Sequence, residues 1–177
     1  LVYAQEKGYR LIKRSRALGE IASVQKCLGV AGTHGKTTTS TMLAHLFTHS
    51  GKGCSAFLGG ISKNYRTNLL LSKNQVLVAE ADEFDRSFLQ LFPHVAIITS
   101  TDADHLDIYG TEEAYLERFR KYTSLIRPDG FLFLHTGVKI KADTQNGVTT
   151  YTYGREEGDF HAENIQIGNG EIVFDFV

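Results

Sequence analysis

The residues best suited to chemistry lie in a glycine-rich segment at positions 32–38. The segment reads Gly-Thr-His-Gly-Lys-Thr-Thr, and it follows a short apolar run and precedes an amphipathic helical pattern. Spaced glycines let backbone N–H groups converge on phosphate oxygens, and the N-terminus of a helix adds partial positive charge. Lys36 can reach the terminal phosphates of a nucleotide, and the Thr37 hydroxyl can bind magnesium. We therefore predict a phosphate loop for a nucleotide and Mg²⁺ made of Gly32, Thr33, His34, Gly35, Lys36, Thr37 and Thr38.

The segment departs from the general phosphate-loop pattern at one position. That pattern has a glycine five residues before Gly35, where this sequence has Val30. A glycine-rich turn with a merely solvated lysine is the alternative interpretation. The strand before the segment and the helix after it favour the phosphate loop, because a lysine at a helix N-terminus opposes the helix dipole unless an anion is nearby.

Two acidic clusters follow predicted strands. They contain Glu80, Asp82, Glu83 and Asp85, and then Asp102, Asp104, His105 and Asp107. In open α/β sheets, ligands gather at the carboxyl ends of the strands. Magnesium prefers oxygen ligands and usually takes one or two protein carboxylates beside phosphates and water. Because Glu80 comes first after its strand, we predict that Glu80 and Thr37 bind magnesium.

The histidines fall into two groups. His105 either bonds a neighbouring carboxylate or binds a metal ion or substrate, and its position beside the predicted phosphate site favours the second role. His45 and His49 share a helix face, but no carboxylate follows them in the pattern of a hydrolytic zinc site. We interpret these two as packing or surface residues, and Asp82 and Asp85 as part of a solvated loop that caps the next helix.

The elements that must position these residues alternate between strands and helices. Short apolar runs predict buried strands at 27–31, 55–58, 76–79, 95–99 and 131–134, and longer patterns predict helices at 37–49 and 112–125. This order indicates an α/β fold with a largely parallel sheet and helices on both faces. Strand-like runs at 148–153, 160–167 and 171–177 predict a β-rich C-terminal extension. Residues 15–24 predict an amphipathic helix, and residues 10–12 a short strand.

Composition excludes several classes of protein. The 177 residues are 42% hydrophobic and 22% charged, which is typical of a globular domain rather than a disordered chain. Nineteen basic and 20 acidic residues give a net charge of −1, so there is no overall attraction to nucleic acid or to an anionic membrane. The sequence has two cysteines, which are not spaced as metal ligands, and this is typical of a protein in a reducing cytoplasm. No apolar run reaches the roughly 18 to 20 residues of a transmembrane helix.

Three ordered motifs together resemble the Mur ligase family. They are the segment at 32–38, Glu-Ala-Asp-Glu-Phe-Asp at 80–85 and Asp-Ala-Asp-His-Leu-Asp at 102–107. The resemblance implies an ATP-dependent ligase of peptidoglycan precursor synthesis. Within the family, the best match implies transfer of the ATP γ-phosphoryl group to the lactyl carboxylate of UDP-N-acetylmuramate. L-Alanine then attacks the acyl phosphate, which gives an amide, ADP and phosphate.

The resemblance also implies roles for single residues. Lys36 holds the β and γ phosphates, Thr37 and Glu80 hold one magnesium ion, and His105 holds a second near the acyl phosphate. The backbone amides of Thr33, Gly35 and Thr38 complete the phosphate cradle. Lys36, Glu80 and His105 are therefore the predicted catalytic residues.

Other functions remain as alternatives. A recycling ligase of the same family joins a tripeptide to the same nucleotide sugar, and a folyl-polyglutamate-type ligase shares the phosphate loop. A nucleotide switch that signals through a partner also shares this loop, but it has no need for a second cluster suited to a metal ion. A ligase differs from a switch in releasing phosphate only when carboxylate and amine substrates are both present.

The resemblance divides the chain into two parts. Residues 1–26 look like the end of the family's N-terminal, UDP-binding domain, and residues 27–177 like its central ATP-binding domain. The sequence begins without methionine and ends inside an alternating run. We therefore expect a fragment whose partners include the N- and C-terminal domains of the same parent chain, and which is inactive alone.

Overall fold

The computed structural model describes residues 2–102 and 110–177, apart from the side chains of residues 84–86. Its helices are α1 (Val2–Glu6), α2 (Arg14–Ser23), α3 (Lys36–His49) and α4 (Glu112–Thr123), with a 3₁₀ helix at Phe84–Gln90. The first six strands are β1 (Lys26–Ala31), β2 (Ser55–Ser62), β3 (Thr67–Leu70), β4 (Val76–Glu80), β5 (Val95–Ile98) and β6 (Phe131–His135). The remaining strands are β7 (Thr149–Tyr153), β8 (Ala162–Gly168) and β9 (Glu171–Phe176).

Seven strands form one sheet in the order β3-β2-β4-β1-β5-β6-β7. Every neighbouring pair is parallel except β2 and β3, which are antiparallel. Val30 of β1 lies beside Glu80 of β4, and Ala31 lies beside Ile98 of β5. The carboxyl ends of these three strands therefore meet at one edge of the sheet, where ligands bind in such folds.

The core is divided between the two faces of the sheet. In β4, Leu77 and Ala79 belong to one buried cluster, and Val78 between them belongs to the other. This alternation is the strand's period of two, so the clusters lie on opposite faces. Ala44 of α3 packs with Val78, whereas Phe119 of α4 and the 3₁₀ helix pack with Leu77. The predicted α/β fold with helices on both faces is confirmed.

The local sequence of helix α4 explains where the helix begins and ends and which face it buries. Thr111 caps its N-terminus by accepting a hydrogen bond from the Ala114 N–H at 3.2 Å. Glu112 and Glu113 occupy the first turn and Arg120 and Lys121 the last, which matches the helix dipole. Its buried face carries Tyr115, Leu116, Phe119, Tyr122 and Thr123.

One sequence prediction was wrong. Residues 10–12 are irregular rather than a strand, although α2 lies near the predicted position. The predicted β-rich C-terminal extension is confirmed, since all three of its runs form strands. Strand β7 pairs in parallel with β6 and extends the main sheet, and β8 and β9 form an antiparallel hairpin.

Helices of the described residues are all too short or too polar to cross a membrane.

Candidate functional site

The predicted phosphate loop connects the end of β1 to the start of α3. Gly32 has φ of 137° and Gly35 has φ of 82°, both in the region that favours glycine. A side chain at Gly32 would collide with Thr99 and with the backbone nitrogen of Ser100. Gly35 is the N-cap of α3, so the N–H groups of the first helical turn have no earlier helical carbonyl to bind. The loop therefore presents backbone donors and a positive helix end, as an anion site requires.

Residues at the end of β5 hold this loop in place. The Thr99 hydroxyl contacts the Ala31 carbonyl oxygen at 3.1 Å and also the His34 carbonyl oxygen. The His34 N–H donates to Ser100 Oγ at 2.8 Å, and the Thr33 N–H donates to the Ser100 carbonyl at 3.2 Å. These two amides stabilise the loop itself in this structure. The backbone donors that the loop leaves for an anion are therefore mainly the amides at the start of α3.

A buried tyrosine fixes the Thr33 side chain. Thr33 Oγ1 lies 2.7 Å from the Asp102 carbonyl oxygen and 2.8 Å from the Tyr115 hydroxyl. A carbonyl can only accept, so Thr33 donates to Asp102 and Tyr115 donates to Thr33. Tyr115 is fully buried on α4. The loop is thus tied to a core helix as well as to β5.

The Lys36 ammonium turns inward, toward the loop and the acidic cluster. Nζ lies 2.7 Å from the Gly32 carbonyl oxygen and 3.3 Å from the Thr33 carbonyl oxygen. It also contacts Glu83, at 3.0 Å from Oε1 and 2.9 Å from Oε2. Burial raises the pKa of the Glu83 carboxyl, and the hydrogen bond from Lys36 partly opposes this shift.

Thr37 and Glu80 form the second part of the site. Thr37 Oγ1 lies 3.1 Å from Glu80 Oε1, and the Gly59 N–H donates to Glu80 Oε2 at 2.8 Å. A side chain at Gly59 would collide with the Glu80 carboxylate, so this approach needs glycine. A hydroxyl and a carboxylate oxygen this close suit a hard cation that completes its shell with phosphate and water. These residues therefore fit magnesium.

A cavity of about 480 Å³ opens beside Glu80. Leu18 and Ile21 of α2 line one side, and Phe57 and Gly59 of β2 line another. Asp82 also lines it. The cavity gives a second molecule room to lie next to the predicted magnesium ligands, and residues from the N-terminal segment form part of its wall.

The structure brings together most of the predicted site. Lys36, Thr37 and Glu80 meet at the carboxyl edge of β1 and β4, whereas His105 lies outside the described residues. Within the described ranges, no three His, Cys, Asp or Glu side chains group as a metal site. His45 bonds the Tyr65 hydroxyl at 2.9 Å and stacks on His49, which fits the predicted packing role.

Sequence reasoning missed residues that support the site rather than form it. They are Glu83, Gly59, Thr99, Ser100 and Tyr115. Glu83 stood within the first acidic cluster and Gly59 directly follows a predicted strand, but only the folded structure shows what they contact. Thr99 and Ser100 carried a weaker signal, since Thr99 ends a predicted strand and Ser100 directly follows it.

The chain is similar to known proteins over nearly its whole length. Residues 30–177 match the model of the Mur ligase middle domain. The chain is 64% identical over 176 residues to UDP-N-acetylmuramate–L-alanine ligase of Phocaeicola vulgatus, which covers 99% of this chain and 38% of that protein. The corresponding protein of Parabacteroides distasonis is 58% identical over 179 residues, with coverage of 100% and 39%.

A solved structure supports the same relationship. The UDP-N-acetylmuramate-alanine ligase of Thermotoga maritima matches with a TM-score of 0.81 and 25% identity, over 99% of this chain and 40% of that one. The chain spans about two fifths of the length of these relatives. From the match over residues 30–177, the chain belongs to the Mur ligase family.

Proposed function

We propose that the protein is an ATP-dependent ligase that joins L-alanine to the lactyl carboxylate of UDP-N-acetylmuramate, in the synthesis of peptidoglycan precursors. The observation that carries this proposal is the meeting of Lys36, Thr37 and Glu80 at one sheet edge beside a cavity. The two relatives named as alanine ligases, at 64% and 58% identity, support the choice of acceptor.

The reaction requires two displacements. A lactyl carboxylate oxygen attacks the γ-phosphorus of ATP, the bond from that phosphorus to the β–γ bridging oxygen breaks, and ADP leaves. The amine of L-alanine then attacks the carbonyl carbon of the acyl phosphate, inorganic phosphate leaves, and the nitrogen loses a proton. Positioning and charge neutralisation dominate catalysis of phosphoryl transfer, so the protein needs no covalent intermediate of its own.

The residues of this chain supply the positioning. Lys36 and the amides at the start of α3 hold the β and γ phosphates. Thr37 and Glu80 hold Mg²⁺, which neutralises phosphate charge when bound, and Gly59 orients the Glu80 carboxylate. We propose His105 as the ligand of a second magnesium ion near the acyl phosphate. The cavity beside Glu80 is the place for the carboxylate end of the nucleotide sugar.

The remaining partners follow from this assignment. We propose that residues 1–26 end a UDP-binding domain, because Leu18 and Ile21 line the cavity next to the predicted site. Residues 27–177 form the ATP-binding domain, and a C-terminal domain brings L-alanine. Since ATP and UDP-sugars are cytoplasmic metabolites, we place the reaction in the cytoplasm.

Phosphate release by the full-length protein tests this proposal. The assay contains ATP, magnesium and UDP-N-acetylmuramate, with L-alanine, other amino acids or the tripeptide offered separately. We expect release with L-alanine. Release only with the tripeptide would assign the recycling reaction instead, and release that ignores every acceptor would indicate a switch or a simple ATPase.

A further inference from the structure

A buried ion pair joins the phosphate loop to a carboxylate outside the predicted magnesium site. Glu83 is 1% exposed, and both of its carboxylate oxygens lie within 3.0 Å of Lys36 Nζ. The Lys36 side chain is itself only 14% exposed. This contact crosses from the start of α3 to the segment after β4, so it is a feature of the fold and not of neighbouring residues in sequence.

The Lys36 ammonium uses its whole donor capacity within the protein. An ammonium has three N–H donors. Lys36 directs them to the Gly32 carbonyl, the Thr33 carbonyl and the Glu83 carboxylate. A nucleotide phosphate can bind this ammonium only if one of these acceptors gives way. Glu83 is the acceptor that resembles phosphate, because it is an anion.

We propose that Glu83 is a positioning residue that binds the Lys36 ammonium in the nucleotide-free protein. To bind Lys36, ATP has to displace the Glu83 carboxylate from this ammonium. Carboxylate and phosphate then compete for one ammonium in a partly buried place, where solvent screens charges weakly. The competition lowers ATP affinity below what the loop alone would give. It also favours release of ADP, since Glu83 recovers its contact with Lys36 as the phosphates leave. This inference depends on the proposed function only for the identity of the ligand.

Binding of Mg–ATP to the full-length protein tests the proposal. Glu83→Gln keeps the shape of the side chain and removes its charge. We expect its Kd for Mg–ATP, measured by calorimetry, to fall about tenfold, or about 1.4 kcal/mol. Stopped-flow measurement should also show slower ADP release. A merely structural role would predict the opposite change in Kd. Glu171→Gln makes the same chemical change on exposed β9 and should leave the Kd unchanged.

The other results separate failure of this inference from failure of the proposed function. An equal or weaker affinity in Glu83→Gln would overturn it. If Glu83→Gln does not fold, Glu83→Met fills a similar volume without charge, and its Kd is judged by the same criterion. Failure of the unaltered protein to bind Mg–ATP would overturn both this inference and the proposed function. Binding without alanine-dependent phosphate release would contradict the proposed function alone.

Discussion

The carboxyl edge of the parallel sheet and the β8–β9 hairpin differ in how many elements fix each residue. At the sheet edge, contacts from β5 and α4 hold the loop backbone and Thr33, and β2 and β4 together hold Glu80. In the hairpin, β8 and β9 pair mainly with each other, and every residue of β9 is exposed. Stacking of Phe160 on Phe176 helps to join it to the preceding segment.

This difference determines how many neighbouring residues a substitution affects. A catalytic group must be held by neighbours whose own positions are fixed. At the sheet edge, one change therefore moves several partners. In the hairpin, substitution of an exposed residue alters few contacts.

Lys36→Ala removes the side chain that reaches the phosphates. We expect kcat/KM for ATP to fall on the order of 100-fold or more, the cost of removing one charge-stabilising donor. Calorimetry should also show weaker binding of Mg–ATP. Lys139→Ala, which breaks an exposed ion pair with Glu112, is the matched control and should behave as the unaltered protein. Equal Mg–ATP affinity in Lys36→Ala would refute the assignment of the loop.

Gly59→Ala places a methyl group against the Glu80 carboxylate. Because the Glu80 carboxylate must shift from its present position beside Thr37, we expect the magnesium concentration for half-maximal activity to rise about tenfold, as for other groups that orient metal ligands. Gly168→Ala is the hairpin control, since a methyl group there meets no atom within 4 Å. An unchanged magnesium dependence in Gly59→Ala would show that Glu80 is not the ligand.

Tyr115→Phe and Tyr122→Phe remove the same hydroxyl from two fully buried tyrosines of α4. The Tyr115 hydroxyl bonds Thr33, whereas that of Tyr122 has no hydrogen-bond partner among the described residues. We expect Tyr115→Phe to lower the free energy of unfolding by about 1 kcal/mol and the Tm by about 2–4 °C. Tyr122→Phe should leave the Tm unchanged or raise it. The reverse order would mean that the Thr33 contact does not stabilise the loop.

Much of the fold follows from local patterns, but the partners of single residues do not. The apolar run before Gly32 and the helical pattern after Lys36 predicted β1 and α3, because these elements depend on local periodicity. Strand β3 was missed because none of its four residues is buried, two are exposed, and the run carries little pattern. The contact of Gly59 with Glu80 depends on the parallel pairing of β2 with β4, which no local pattern specifies. The role predicted for His105 remains a prediction.

The most direct test of carboxylate activation uses UDP-N-acetylmuramate labelled with oxygen-18 in its lactyl carboxylate. The full-length protein turns it over with ATP, magnesium and L-alanine, and the released phosphate is analysed by mass spectrometry. Since a carboxylate oxygen attacks the γ-phosphorus, one labelled oxygen should leave with the phosphate. Phosphate without the label would show that ATP is hydrolysed by water, and it would contradict the acyl-phosphate route.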